Sequence, residues 1–220
     1  NVLIHSHTFE HITNPLETME MISKSQNVGD LMIFSIPNLR YYLENKYVNV
    51  LNFEHTYLLT DVIMEELLNL FGYNVLKKEY FVNHSIFYSC ERNELSRSTY
   101  KFSNNYLTNK KLFLDMIKNV KEKVAYYNER IKNHCESFIF GAHVFSQFLI
   151  NQGLSEKHIL NILDNSTMKR NKRLYGSKLK IKGLDILKYY HNPLVILNAG
   201  QYQDEIKEQI EKINSKCIII

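Results

Sequence analysis

Strand-sized apolar runs alternate with helical stretches along most of this chain, and that alternation restricts the fold more than any single motif does. Parallel strands cannot be joined by tight turns, so each strand to helix to strand passage implies a crossover and an α/β architecture. The opening run Asn1 to His5 reads as a buried strand. Asn14-Pro15 then starts a helix, Asn as the N-cap and Pro preset for the first turn, with Leu16, Met19 and Ile22 at helical spacing. Asn27 to Gly29 stops it, and Asp30 to Asn38 is a continuous apolar run ending in Pro, the pattern of a strand buried on both faces. Leu39 to Thr56 is polar, rich in Tyr and without a clean period, which reads as a loop. A helix from about Leu58 to Leu70 follows, closed by Gly72. Asn74 to Glu79 and Ile86 to Cys90 are β-like and separated by a short polar turn, which suits a terminal antiparallel pair.

The pattern then restarts. Glu91 to Tyr106 is polar and turn-rich, and Thr108 to Asn133 reads as a long amphipathic helix with Leu112, Met116, Val120 and Val124 near one face. Strands at Ser137 to Gly141, Ile159 to Asp164, Leu194 to Ala199 and Cys217 to Ile220 alternate with helices at His143 to Asn151, Leu179 to Tyr190 (with a short strand) and Gln203 to Ile213. This predicts three parts: 1–92 as one α/β unit, 93–134 as a linker with a long helix, and 135–220 as a small Rossmann-like domain with a parallel sheet.

Composition narrows the function classes. The net charge of +4 comes from 27 basic and 23 acidic residues scattered along the chain, which argues against a nucleic-acid footprint and is compatible with a small anionic ligand. The longest apolar runs, such as Phe138 to Ala142, are strand-sized and too short to span a bilayer, so no membrane partner is expected. The three cysteines, Cys90, Cys135 and Cys217, lack the paired short spacing of a zinc site or a disulfide framework, and a reducing cytoplasm is the natural setting.

Several residues carry candidate chemistry. His55 lies beside Glu54 on the long loop expected beyond a strand's carboxyl end, where open α/β sheets bind ligands. An imidazole titrates near neutral pH and a neighbouring carboxylate can orient it, so His55 is the candidate general base. His7 to His11 spells His-x-x-Glu-His, an inverted zinc-protease signature that needs both histidines one turn apart on a helix. The stretch follows a strand directly and the helix begins only at Asn14-Pro15, so no metal site is expected there. Gly141-Ala142 opens a helix after a strand, and Asp164 ends the next strand, where a dinucleotide site places its ribose carboxylate. The further glycines of that fingerprint are missing, which disfavours a dinucleotide and leaves a nucleotide-sugar phosphate near the helix N-terminus as the candidate ligand. Lys169 heads the basic run Lys-Arg-Asn-Lys-Arg, either a solvated loop or a phosphate contact, and Tyr41, Tyr42 and Tyr47 are either stacking platforms or loop anchors.

Two stretches carry a family resemblance. Ser6 to Pro15 resembles the segment after the fourth strand of class I S-adenosylmethionine-dependent methyltransferases. Phe138 to Ala142, Ile162 to Ser166 with Lys169, Leu174 to Ser177, Ile196 to Gly200 and Asp204 to Ile206 follow in order the pattern of the sugar C-methyltransferase C-terminal domain. Asn52 to His55 followed by Tyr57 looks like that family's Glu-His stretch, whereas Val82 to Phe87 shares only Ser85 with its His-Gly-Gly-Ser stretch. The resemblance implies the second half of a class I methyltransferase sheet followed by the Rossmann-like domain. It further implies that the chain is the C-terminal portion of a longer bacterial protein, since the initiator Met and the Gly-rich cofactor turn are absent. In that reading Ser6 and His7 lie beside S-adenosylmethionine, whose site is incomplete in this chain, and His55 with Glu54 acts as the base. Ser85, Gly141, Ala142, Asp164 and Lys169 then face a nucleotide-linked sugar substrate. An O-methyltransferase, or a sugar-nucleotide-binding module that has lost catalysis, are the alternatives the same residues leave open.

Overall fold

The computed structural model describes residues 1–48, 50–94 and 103–220, and the chain divides into two compact units, Asn1–Leu114 and Asp115–Ile220. Most of the polar stretch expected between Glu91 and Tyr106 lies outside the described residues.

In the first unit β1 (Val2–Ser6), α1 (Pro15–Ser25) and β2 (Leu31–Pro37) form a parallel crossover, in register from Val2 opposite Leu31 to Ser6 opposite Ser35. Asn14 caps α1 by accepting from the Glu17 amide at 3.3 Å, and Pro15 occupies its first turn. Two further helices, α2 (Leu39–Glu44) and α3 (Asp61–Leu70), precede the hairpin β3 (Tyr73–Phe81) and β4 (Ser85–Arg92). Strand β4 runs antiparallel to both β2 and β3, and the sheet order is β1-β2-β4-β3. Val82 and Asn83 turn the hairpin with φ of 47° and 61°, the left-handed pair whose twist suits a tight antiparallel connection. Phe34 centres the core, stacked on Tyr88 at 5.1 Å and meeting Phe9 edge-on at 5.2 Å, with Met19, Met64 and Leu68 fully buried around it.

Helix α2 corrects the expectation of a loop from Leu39. Asn38 caps it by accepting from the Tyr41 amide, and Leu39 and Leu43, one turn apart, are both buried. The tyrosines between and after them, Tyr41, Tyr42 and Tyr47, meet one another edge to face at 6.2 to 6.4 Å.

A long helix, α4 (Tyr106–Lys132), buries Met116, Val120, Val124, Tyr127 and Ile131. The second unit continues with β5 (Ser137–Phe140), α5 (Val144–Asn151), β6 (Asn161–Leu163), β7 (Ile181–Lys182), β8 (Leu194–Ile196), α6 (Gln203–Ile213) and β9 (Ile218–Ile219). All five strands are parallel, in the order β7-β6-β5-β8-β9. The chain winds outward one way from β5 and returns the other way to β8, so the carboxyl ends of β5 and β8 flank the switch point. The helix expected up to Tyr190 is instead a 3-10 stretch, Leu184–Tyr189, whose threefold repeat places Leu184 and Leu187 together in the core. Both units are thus α/β, one on a mixed sheet and one on a parallel sheet. Among the described residues no helix is long and apolar enough to cross a membrane.

Candidate functional site

At the carboxyl end of β1 the chain leaves Ser6 and enters His7 with φ of 47°, a left-handed conformation that a non-glycine residue adopts only when its surroundings hold it there. Three bonds do so. The His7 amide donates to the Ser35 carbonyl at 3.0 Å, Nδ1 meets Glu10 Oε1 at 3.0 Å, and Nε2 meets Ser85 Oγ at 2.9 Å. Ser85 Oγ also meets His84 Nδ1 at 2.6 Å. A carboxylate only accepts, so His7 Nδ1 carries a proton, while the single Ser85 hydroxyl proton can serve only one of its two imidazole partners, His7 Nε2 or His84 Nδ1. The result is a continuous line from His84 through Ser85 and His7 to Glu10, joining residues 78 positions apart through sheet pairing. Its connectivity is that of a serine nucleophile, a base and an orienting carboxylate. Ser85, however, is 1% exposed and its oxygen is bonded to two imidazole nitrogens, so the hydroxyl is not presented to a substrate.

Glu10 is the hub. It is 5% exposed, one carboxylate oxygen holds His7, and the other, Oε2, is buried without a hydrogen-bond partner. Burial opposes its ionisation, yet the bond from His7, its own backbone amide and the imidazoles of His7 and His55 outweigh burial and hold the carboxyl below the usual range. The second ligand-edge loop is stapled to it, because the Thr56 amide donates to the Glu10 carbonyl at 2.8 Å and the Thr56 hydroxyl to the Ile12 carbonyl at 2.6 Å. That staple brings His55 against His11, ring centroids 5.0 Å apart and nearly perpendicular. His55 Nδ1 donates to the Val50 carbonyl at 2.8 Å, and His11 Nδ1 to the Glu54 carbonyl at 3.0 Å. Each bond directs the Nδ1 proton to a backbone carbonyl, so that in the neutral ring the lone pair is on Nε2. Glu10 and His55 line a cavity of about 10 Å³ together with Pro37, Tyr57 and Leu59, room for about one water.

The structure brings some of the expected residues together and separates others. His7, Ser85 and His55 belong to one neighbourhood around Glu10, a residue that the sequence singled out only within the His-x-x-Glu-His stretch. The Glu54 carboxylate accepts from the Asn52 amide, and Glu54 enters the site only through its backbone carbonyl. Phe53 and Glu54 form a tight turn closed by the His55 amide on the Asn52 carbonyl at 3.0 Å, and the carboxylate that acts on His55 comes from Glu10 instead. Ser6 Oγ is paired with Ser35 Oγ at 2.7 Å, so both residues expected beside the cofactor spend their polar atoms inside the protein. The His-x-x-Glu-His stretch is no α-helix, since Phe9–His11 is a single 3-10 turn and His7 turns away to Glu10 and Ser85.

In the second unit Gly141, Ala142, Asp164 and Lys169 do converge, but on one another. Asp164 accepts from the Ala142 amide at 2.8 Å, the Ser166 amide at 2.8 Å and Lys169 Nζ at 3.1 Å, and Lys169 also donates to the Ala142 carbonyl at 3.1 Å. Gly141 needs its missing side chain, since with φ of 103° an added Cβ would lie 2.6 Å from the His143 ring, which caps α5 by accepting from the Phe145 amide. Asp164 thus braces the β5 and β6 loops, with the bonds from Ala142 and Lys169 both on Oδ2 and one from Ser166 on Oδ1. Compared with protein-family models and with curated proteins, the chain matches none.

Proposed function

We propose that the chain takes part in methyl transfer from S-adenosylmethionine to a nucleotide-linked sugar or polysaccharide precursor, with His55 as the base. The observation that carries this reading is the His55 ring, held through Nδ1 on the Val50 carbonyl at 2.8 Å and lining a cavity with Glu10, whose carboxyl is held below the usual range. The site lies at the carboxyl ends of the parallel strands β1 and β2, the ligand edge of such sheets. The element order of the first unit, closing in an antiparallel pair, agrees with the second half of a class I methyltransferase sheet. The parallel sheet of the second unit agrees with the domain expected to follow it, and the three free cysteines fit a reducing cytoplasm.

When bound, S-adenosylmethionine supplies an electrophilic methyl group. Ser6 Oγ is bonded to Ser35 and both ring nitrogens of His7 are bonded, to Glu10 and Ser85, so these two residues shape the strand end. The work assigned to this chain is deprotonation of the acceptor. His55 Nε2 takes the proton from the carbon next to a keto group, or from a hydroxyl in the O-methyl variant, and the resulting imidazolium is stabilised by the Glu10 carboxylate. The His84, Ser85 and His7 line holds Glu10 in place with its second oxygen directed away from His7.

The test is a methyl-transfer assay on the protein, using labelled S-adenosylmethionine and a panel of nucleotide-linked keto sugars and plain sugars. Label on a carbon next to the ketone is the expected result. Label only on a hydroxyl would turn the reading to O-methylation. Tight sugar-nucleotide binding with no transfer would make the protein a binding module.

A further inference from the structure

We propose that Glu10, His11 and His55 form a binding site for a divalent transition-metal ion of borderline softness, such as Zn²⁺ or Co²⁺. This inference does not depend on methyl transfer. One donor atom from each of the three residues lies within 4.8 Å of the other two. Two imidazoles and a carboxylate suit zinc and its first-row neighbours, whereas magnesium and calcium prefer all-oxygen shells.

Both histidines already carry the outer partners of metal-bound histidine. Their Nδ1 protons go to the backbone carbonyls of Glu54 and Val50, which orients the rings and leaves Nε2 as the ligating atom. The second, separate sign of a missing ligand is Glu10 Oε2. It is a buried oxygen of a residue 5% exposed, it has no partner, and such an atom is costly to leave unmatched. Its sister oxygen is held by His7, so the carboxylate has an outer partner of its own. The two loops that carry the ligands are joined by Thr56, whose amide and hydroxyl bond to the Glu10 and Ile12 carbonyls, so the site is largely assembled before any ion arrives. Metal to ligand bonds of about 2.0–2.1 Å put donors about 3.4 Å apart in a tetrahedral shell, so the cradle must tighten by about an ångström on binding. His11, exposed to solvent, is the member free to make that movement and the route by which the ion enters. Three protein ligands leave a fourth position for water or for an oxygen of a bound molecule.

Zn²⁺ alone, titrated calorimetrically into the chelator-stripped 220-residue chain, tests the site. One ion per chain is expected, with affinity falling at least about tenfold in each of His11→Ala, His55→Ala and Glu10→Gln, and unchanged in His191→Ala. Co²⁺ should give visible d–d absorption that disappears in His11→Ala. Circular dichroism checks that each variant is folded, and His11→Ala, an exposed position, keeps the test open should Glu10→Gln fail to fold. Absence of saturable Zn²⁺ binding, or binding that survives both His11→Ala and His55→Ala, overturns the proposal.

Discussion

His55→Ala should lower methyl transfer, on the function proposed for His55, by about two to four orders of magnitude, the range that a positioned general base contributes. The loss should appear in kcat more than in KM, because proton abstraction belongs to the chemical step and the imidazole is not asked to hold the substrate beforehand. The Val50 carbonyl matters here as much as the ring. By accepting from Nδ1 at 2.8 Å it selects the neutral tautomer whose lone pair is on Nε2, and a His55→Gln variant, which retains polarity but lacks the lone pair of an imidazole, should be as poor as alanine. The assay belongs in the presence of a chelator, since an ion on Nε2 would occupy the lone pair that takes the proton. Base and metal ligand are alternative uses of one atom, and added Zn²⁺ should therefore inhibit. Turnover by His55→Ala close to that of the unsubstituted protein would remove His55 from the mechanism and leave the cluster with Glu10 and His11 as a metal site alone.

The fold was legible wherever one element declares itself locally. Asn14-Pro15 is an N-cap followed by a preset first turn, and α1 begins there. The run ending at Pro37 became the central strand β2, with Met32, Phe34, Ser35 and Ile36 buried. Helix α2 was hidden by its tyrosines, although Asn38 followed by Leu39 and Leu43 is a cap with a two-leucine stripe. The site was harder to see because its bonds are made by topology. His7 finds Ser85 only after β4 has paired with β2, with Ser85 opposite Pro37, and no local spacing encodes that. His55 finds His11 and Glu10 through a backbone staple at Thr56, to which any residue could contribute the amide. Sequence adjacency pointed to Glu54 as the carboxylate partner, while Glu10, one residue before His11, supplied it across the loop. The same contrast holds in the second unit. Gly141, Ala142, Asp164 and Lys169 were grouped correctly as neighbours, but proximity alone does not say whether polar atoms face a ligand or one another.

Asp164→Ala distinguishes those two roles. Asp164 is 7% exposed and accepts from the Ala142 and Ser166 amides and from Lys169, so its removal leaves buried backbone donors and an ammonium group without their acceptor. A loss of about 2–4 kcal/mol in the stability of the second unit is expected, since each orphaned donor costs on the order of 1–3 kcal/mol and solvent reaches part of the gap. The chain has two units and need not unfold in one step, so hydrogen exchange of the β5 and β6 amides, Phe138 to Phe140 and Ile162 to Leu163, is the appropriate readout. The pH dependence has a definite sign. Burial works to raise the Asp164 carboxyl, but the Ser166 and Ala142 amides and Lys169 outweigh it and hold it below the usual aspartate value. A depressed folded pKa stabilises the protein above the unfolded value of about 3.9, and that contribution is lost as pH falls through the folded value. The difference between the unsubstituted chain and Asp164→Ala should therefore be full at neutral pH and shrink only in strong acid. Asp164→Asn, which keeps one acceptor and cannot ionise, should fall between the two at neutral pH and show no such titration. Unchanged exchange protection, together with weakened sugar-nucleotide binding, would return Asp164 to the ligand site that its place at the end of β6 first suggested.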